Sequence, residues 1–185
     1  YDVDNKDAKF HLSLKATWST KDYTISYDLA GGEVDGTNKV ELDPEDESFT
    51  LINPTRTGYT FMGWTGTGLS EPTIAITIAK GSYGNKEYTA TWKANEYTIT
   101  YDADGGKLEN TTQTIHYDEL LKLPTPTRDG YAFLGWYDGT KQYKESEAWK
   151  ETENVTLKAK WSLSTYAITY NLNGGTGVSN NPTSY

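Results

Sequence analysis

Apolar and polar positions alternate along three kinds of block in this chain. Tyr97, Ile99 and Tyr101 fall on one face of an extended segment, and Thr98, Thr100 and Asp102 fall on the other. That period of two is what a half-buried strand requires. Gly105-Gly106 ends the segment and predicts a turn with backbone at positive φ. Val155, Leu157, Ala159 and Trp161 alternate just as regularly with Thr156, Lys158 and Lys160, and Leu12, Leu14, Ala16 and Trp18 repeat this register near the start. Between such segments, Tyr131, Phe133, Leu134 and Trp136 are apolar on both faces, which predicts a central strand covered on both sides. Pro124 and Pro126 just ahead favour an extended approach to it. Two stretches are less regular. Lys141 to Glu151 predicts one or two helical turns with Tyr143, Ala148 and Trp149 inward, while Thr73 to Ala79 (TIAITIA) reads as a strand with Ile74, Ile76 and Ile78 aligned.

The blocks recur in order. Tyr23 to Gly32 (YTISYDLAGG), Tyr97 to Gly106 (YTITYDADGG) and Tyr166 to Gly175 (YAITYNLNGG) are versions of one opening, and their starts lie 74 and 69 residues apart. Pro54 to Trp64 (PTRTGYTFMGW) and Pro126 to Trp136 (PTRDGYAFLGW) agree at eight of eleven positions. LKATW, YTATW and LKAKW close the units at Trp18, Trp92 and Trp161. Self-similarity at such a period marks a tandem array. Residues 1–18 read as the tail of a truncated repeat, 23–92 and 97–161 as complete repeats, and 166–185 as the head of another. With both ends inside a repeat, the chain reads as a piece of a longer protein. The connectors Ser19–Asp22, Lys93–Glu96 and Ser162–Thr165 are equal in length and lack Pro and Gly. They predict a restricted angle between neighbours rather than a flexible tether.

Composition agrees with a mainly β fold. Tyr (15) and Trp (6) are abundant, and they suit a pleated, half-buried surface. The absence of cysteine excludes disulfides, zinc–thiolate sites and a thiol nucleophile. A net charge of −9 argues against nucleic acid as partner, because phosphate binding needs a basic stripe. Apolar runs are too short for membrane insertion by this segment. No charged-then-apolar leader begins at Tyr1, so any export signal has been removed or lies outside this piece.

The Tyr-x-Ile-x-Tyr-Asp-x-x-Gly-Gly opening, the Pro-Thr-Arg-x-Gly-Tyr-x-Phe-x-Gly-Trp centre and the x-Ala-x-Trp ending together resemble the Listeria–Bacteroides repeat family. The resemblance covers the whole chain. It implies small α+β, β-grasp-like units in tandem, in secreted or surface proteins of bacteria, where such repeats hold a terminal domain away from the cell and sometimes adhere. The first repeat departs from the pattern, with an insertion at Val40 to Ser48 (VELDPEDES) and no aromatic segment before its last strand.

Candidate chemistry is sparse. His11 and His116 lie far apart in different repeats, which gives a catalytic triad no support. The acids Glu41, Asp43, Glu45, Asp46 and Glu47 lack the ligand spacing of a calcium loop. Gly31-Gly32 and Gly105-Gly106 precede neither a helix nor Lys-Ser/Thr, so they are turn glycines and not a phosphate cradle. No catalytic, cofactor-binding or metal-ligating residue is therefore assigned. Trp18, Trp64, Trp92, Trp136 and Trp161 recur at equivalent positions and are expected in cores. Tyr137, Tyr143 and Trp149 fall in a non-repeated stretch and are the candidates for stacking on a sugar or a partner surface. The sequence thus predicts a non-enzymatic extracellular spacer with an adhesive capacity, its partners being adjacent repeats and a host surface or glycan. The alternative is a carbohydrate- or protein-binding module appended to a surface hydrolase or adhesin.

Overall fold

A computed structural model describes residues 13–19, 21–177 and 182–185. Among the described residues eleven strands follow in chain order. The first six are β1 (Tyr23–Asp28), β2 (Glu41–Leu42), β3 (Phe49–Thr50), β4 (Tyr59–Gly66), β5 (Thr77–Ile78) and β6 (Lys86–Ala94). The other five are β7 (Glu96–Asp102), β8 (Thr112–His116), β9 (Tyr131–Asp138), β10 (Lys141–Tyr143) and β11 (Val155–Leu163). They build one sheet in the order β2-β1-β6-β4, a second in the order β10-β9-β11-β7-β8, and a small β3-β5 pair. The fold is mainly β. The α component expected of a β-grasp-like unit is missing among the described residues, where no helix occurs.

In both large sheets the opening and closing strands lie side by side and parallel. Ile25 to Asp28 face Lys86 to Thr89, and Ile99 to Asp102 face Val155 to Lys158. The middle block then returns antiparallel against the closing strand. Parallel neighbours need a long crossover between them, and everything between the two Gly-Gly turns and the closing blocks supplies it. The alternation read from the sequence sets the cores. Ile25, Trp64, Tyr88 and Ala90 belong to one cluster, and Ile99, Tyr101, Trp136, Leu157 and Ala159 belong to another.

The middle block is not covered on both faces. Register slips between Phe61 and Gly63 in β4, and β11 passes from Lys160 to Trp161 opposite Gly135 and Phe133. Met62 and Leu134 are therefore the extra residues of β-bulges, and both side chains are exposed. The bulge brings Phe133 and Trp136, three residues apart, onto one face with ring centroids 5.5 Å apart. Gly135 follows at φ +133°, where a side chain would be strained.

Three other expectations change. Lys141 to Glu151 forms no helical turn: it continues as β10 and a turn at Lys144–Glu147, and then bridges back from Ala148 to Leu120. In TIAITIA only Thr77–Ile78 is strand, and Ile76 and Ile78 are buried while Ile74 is exposed, because Thr73 is pinned to Trp64 by two backbone hydrogen bonds. Residues 13–18 form no strand, and Trp18 is 92% exposed. Leu12 and His11 lie outside the described residues.

Candidate functional site

The three candidate stacking residues are divided by burial. Trp149 is 1% exposed and Tyr143 5%, and their rings stack on each other with centroids 5.8 Å apart. Both belong to the second core, so neither presents a face to a ligand. Tyr137 is half-buried on β9, with the Lys160 ammonium 4.0 Å from its ring centroid. The acidic run is spent locally. The Asp43 amide donates to Asp46 Oδ2 and the Glu45 amide to Asp43 Oδ1, while Lys39 pairs with Asp46 and Lys80 with Glu47. This turn is the counterpart of His116–Glu119, where the His116 amide donates to Glu119 Oε2 at 2.9 Å. The backbone hydrogen bonds Asp46 to Asp43 and Glu119 to His116 match as well.

The most developed polar cluster joins the two sheets. Strand β6 runs past Trp92 to Ala94 and β7 begins at Glu96, leaving Asn95 alone between them. The Asn95 amide donates to the Gly58 carbonyl at 2.9 Å, and its own carbonyl accepts from the Tyr117 amide at 3.0 Å. Thr60 Oγ1 donates to Asn95 Oδ1 at 2.6 Å. The Tyr117 ring lies so close over Gly58 that a Cβ there would come within 2.1 Å of it. Gly58, at φ +77°, is therefore required twice, by backbone conformation and by this approach. Tyr59 meets the edge of Tyr117 with centroids 5.7 Å apart at 71°, a favoured aromatic geometry. The Tyr59 hydroxyl donates to Asp118 Oδ2 at 2.7 Å.

Each member of this joint is held from its own repeat. The Arg56 guanidinium lies 3.8 Å over the Tyr59 ring and donates to the Ala30 carbonyl, tying the Pro-Thr-Arg-x-Gly-Tyr motif to the Gly-Gly turn. On the other side Lys150 pairs with Asp118. The Asp118 amide donates to the Trp149 carbonyl, and the Trp149 amide donates to Glu119. Trp149 thus serves the joint through its backbone while its side chain is an anchor in the core. Lys150 and then the Tyr59 hydroxyl hold the Asp118 carboxyl below its ordinary range. The same hydrogen bond, with burial second, raises the Tyr59 phenol. The acid–base groups are engaged with one another across the two repeats. His116 lies beside it, with Nδ1 3.1 Å from Glu119 and Nε2 3.7 Å from Glu96.

Sequence reasoning missed Gly58, Tyr59, Asn95, Tyr117, Asp118 and Lys150. One signal was present: Arg-x-Gly-Tyr occurs in both complete repeats, at Arg56 and Arg128, beyond what a strand entry needs.

Comparisons with known proteins place these repeats. The Listeria-Bacteroides repeat domain matches residues 23–73 and 97–160. Internalin H of Listeria monocytogenes is 33% identical over 150 residues, covering 77% of this chain and 26% of that protein. A putative Gly-rich membrane protein of Evansella cellulosilytica is 28% identical over 185 residues, or 97% of this chain and 21% of that protein. A putative membrane protein of the same organism is 29% identical over 168 residues, or 88% of this chain and 24% of that one. This chain therefore spans about a quarter or less of the length of these relatives. Among the described residues no helix is long and apolar enough to cross a membrane. With the family's domain matched over residues 23–73 and 97–160, more than half of the sequence, the chain belongs to the Listeria–Bacteroides repeat family.

Proposed function

We propose that this chain is a non-enzymatic spacer segment of a bacterial surface or secreted protein, with units 23–92 and 97–161 held at a fixed mutual angle. The observation that carries this reading is the joint of Tyr59, Tyr117, Asp118 and Lys150, in which two backbone hydrogen bonds through Asn95, an aromatic edge and a shared carboxylate act together. A flexible tether would need none of these. Internalin H and the two membrane-protein relatives are the basis for the surface location. An array of stiffly joined repeats projects whatever it carries farther per residue than a collapsing coil does. A glycan-stacking role has weaker support, because two of its three candidate aromatics are core residues.

Native cysteines are absent, so a spin-label pair can be placed cleanly. Glu71→Cys and Glu153→Cys are on exposed positions of different repeats. Double electron–electron resonance on the labelled chain is expected to give one narrow distance distribution, which Tyr59→Ala broadens. A broad distribution in the chain with an intact joint would overturn the spacer reading.

A further inference from the structure

The receiving half of the joint exists twice. In the second repeat the Arg128 guanidinium lies 3.9 Å over the Tyr131 ring and donates to the Asp104 carbonyl, as Arg56 does with Tyr59 and Ala30. The Ser164 amide donates to the Gly130 carbonyl at 2.9 Å, as the Asn95 amide does to Gly58. Gly130 has φ +78° against +77° at Gly58. The difference lies in what covers the two glycines. At Gly58 the Tyr117 ring is in contact, whereas at Gly130 no described atom comes within 4 Å of a Cβ position. Leu163 pairs with Tyr131 as Ala94 pairs with Tyr59, and it is 75% exposed. The exposed leucine widens the apolar part of this second surface.

We propose that Arg128, Gly130, Tyr131 and the Ser164 carbonyl form a ready-made socket for the Tyr-Asp turn of a further repeat of this family, seated as Tyr117–Asp118 is seated on the first. The inference rests on the spacer reading and names the partner of the second repeat's far end. The occupant follows from the filled copy of the same surface: a tyrosine ring over Gly130, its amide on the Ser164 carbonyl, and a carboxylate on the Tyr131 hydroxyl. The opening that starts at Tyr166 already lies beside this socket, and Tyr185 exchanges backbone hydrogen bonds with Tyr166. The first repeat shows what a turn without this chemistry looks like. Leu42 pairs with Tyr23 as Ile115 pairs with Tyr97, which places Pro44-Glu45 where the second repeat has Tyr117-Asp118. Proline lacks both the aromatic ring and the amide donor.

The test is a lengthened chain in which a second copy of residues 97–165 follows Thr165 in place of 166–185, followed by hydrogen exchange read by mass spectrometry. Peptides covering 128–132 and 162–165 occur twice in the lengthened chain, and half of their population is expected to exchange about tenfold more slowly than in the original chain, as one newly covered surface should. Placing Tyr117→Pro and Asp118→Glu in the appended copy is expected to abolish the gain while that copy's own core peptides stay protected. If the double change unfolds the copy, Asp118→Asn there reads the carboxylate contribution instead. Equal exchange at 128–132 in the original and lengthened chains would overturn the socket. Peptides covering 56–60, read in the same experiment, report the first joint. Their free exchange would sink the spacer reading, whereas their protection beside an unprotected 128–132 would sink the socket alone.

Discussion

Gly106→Ala is expected to destabilise the second repeat far more than its place in a surface turn suggests. Gly106 has no positive φ; the residue that does is Gly105, at +83°. What Gly106 supplies is room, since a Cβ there would stand 2.5 Å from Cζ2 of Trp161, 3.0 Å from the Thr127 carbonyl oxygen and 3.1 Å from that of Ala103. Carbon atoms prefer about 3.5–4.0 Å, so the indole must move by roughly 1 Å or more. It cannot do so freely, because its N–H donates to the Ala103 carbonyl at 3.0 Å and its ring packs on Phe133 with centroids 5.4 Å apart. Overpacking costs about 1–3 kcal/mol and the indole hydrogen bond about 0.5–1.5, giving about 2–4 kcal/mol together. In a unit of this size each kcal/mol lowers Tm by about 4–8 °C, so the second repeat should melt about 8–32 °C lower. Calorimetry on the full chain is the assay. Gly32→Ala should do the same to the first repeat, where Trp92 Cζ2 would lie at 2.4 Å. The double-mutant cycle with Trp161→Leu isolates the cause, because without the indole most of the penalty should vanish. A full penalty in the Trp161→Leu background would refute the clash.

Two further outcomes follow from the cores. Trp136 donates its indole N–H to the Pro124 carbonyl at 2.7 Å, whereas the buried Trp149 N–H has no acceptor among the described residues. Trp136→Phe should therefore cost about 1–2 kcal/mol more than Trp149→Phe in urea denaturation, and equal costs would contradict the hydrogen-bond assignment. Burial first, and then the Glu145 carboxylate, push the Tyr101 phenol up to about 12; burial and Tyr88 do the same for Tyr27. A raised folded-state value means stability is fully present below the unfolded value of about 10 and is lost as pH rises through about 12. Phenolate absorbance followed together with circular dichroism should show late-ionising tyrosines coupled to unfolding. Ionisation of all 15 tyrosines as one class with the fold intact would disprove it.

Strand faces were legible in the sequence wherever a strict period of two held. Ile99 and Tyr101, and Leu157 and Ala159, are buried as their alternation requires. The reading failed where the period broke. Phe133 and Trp136 share a face only because Leu134 is bulged out, and a bulge is a pairing event between strands that one strand's pattern does not reveal. Trp149 illustrates another limit. An aromatic in a non-repeated stretch suggested a ligand, but local variation had been used to build a different buried corner. The joint was invisible for a third reason: Tyr59 lies in the middle block and Tyr117 in none of the repeated blocks, and their contact depends on how one repeat sits on the next.

The side-by-side first and last strands decide how a repeat answers to pulling. The chain enters β7 at Glu96 and leaves β11 at Leu163, and the two strands run in the same direction. Tension at the two ends drags β7 backwards and β11 forwards along one shared ladder. The hydrogen bonds linking Ile99–Asp102 to Val155–Lys158 are then strained in shear, all at the same time, instead of peeling apart one rung after another. The first repeat has the same layout through Ile25–Asp28 and Lys86–Thr89. Resistance to force is set by the rate of unfolding rather than by equilibrium stability. A repeat built this way can therefore be modest in thermodynamic stability and still slow to yield when it is stretched.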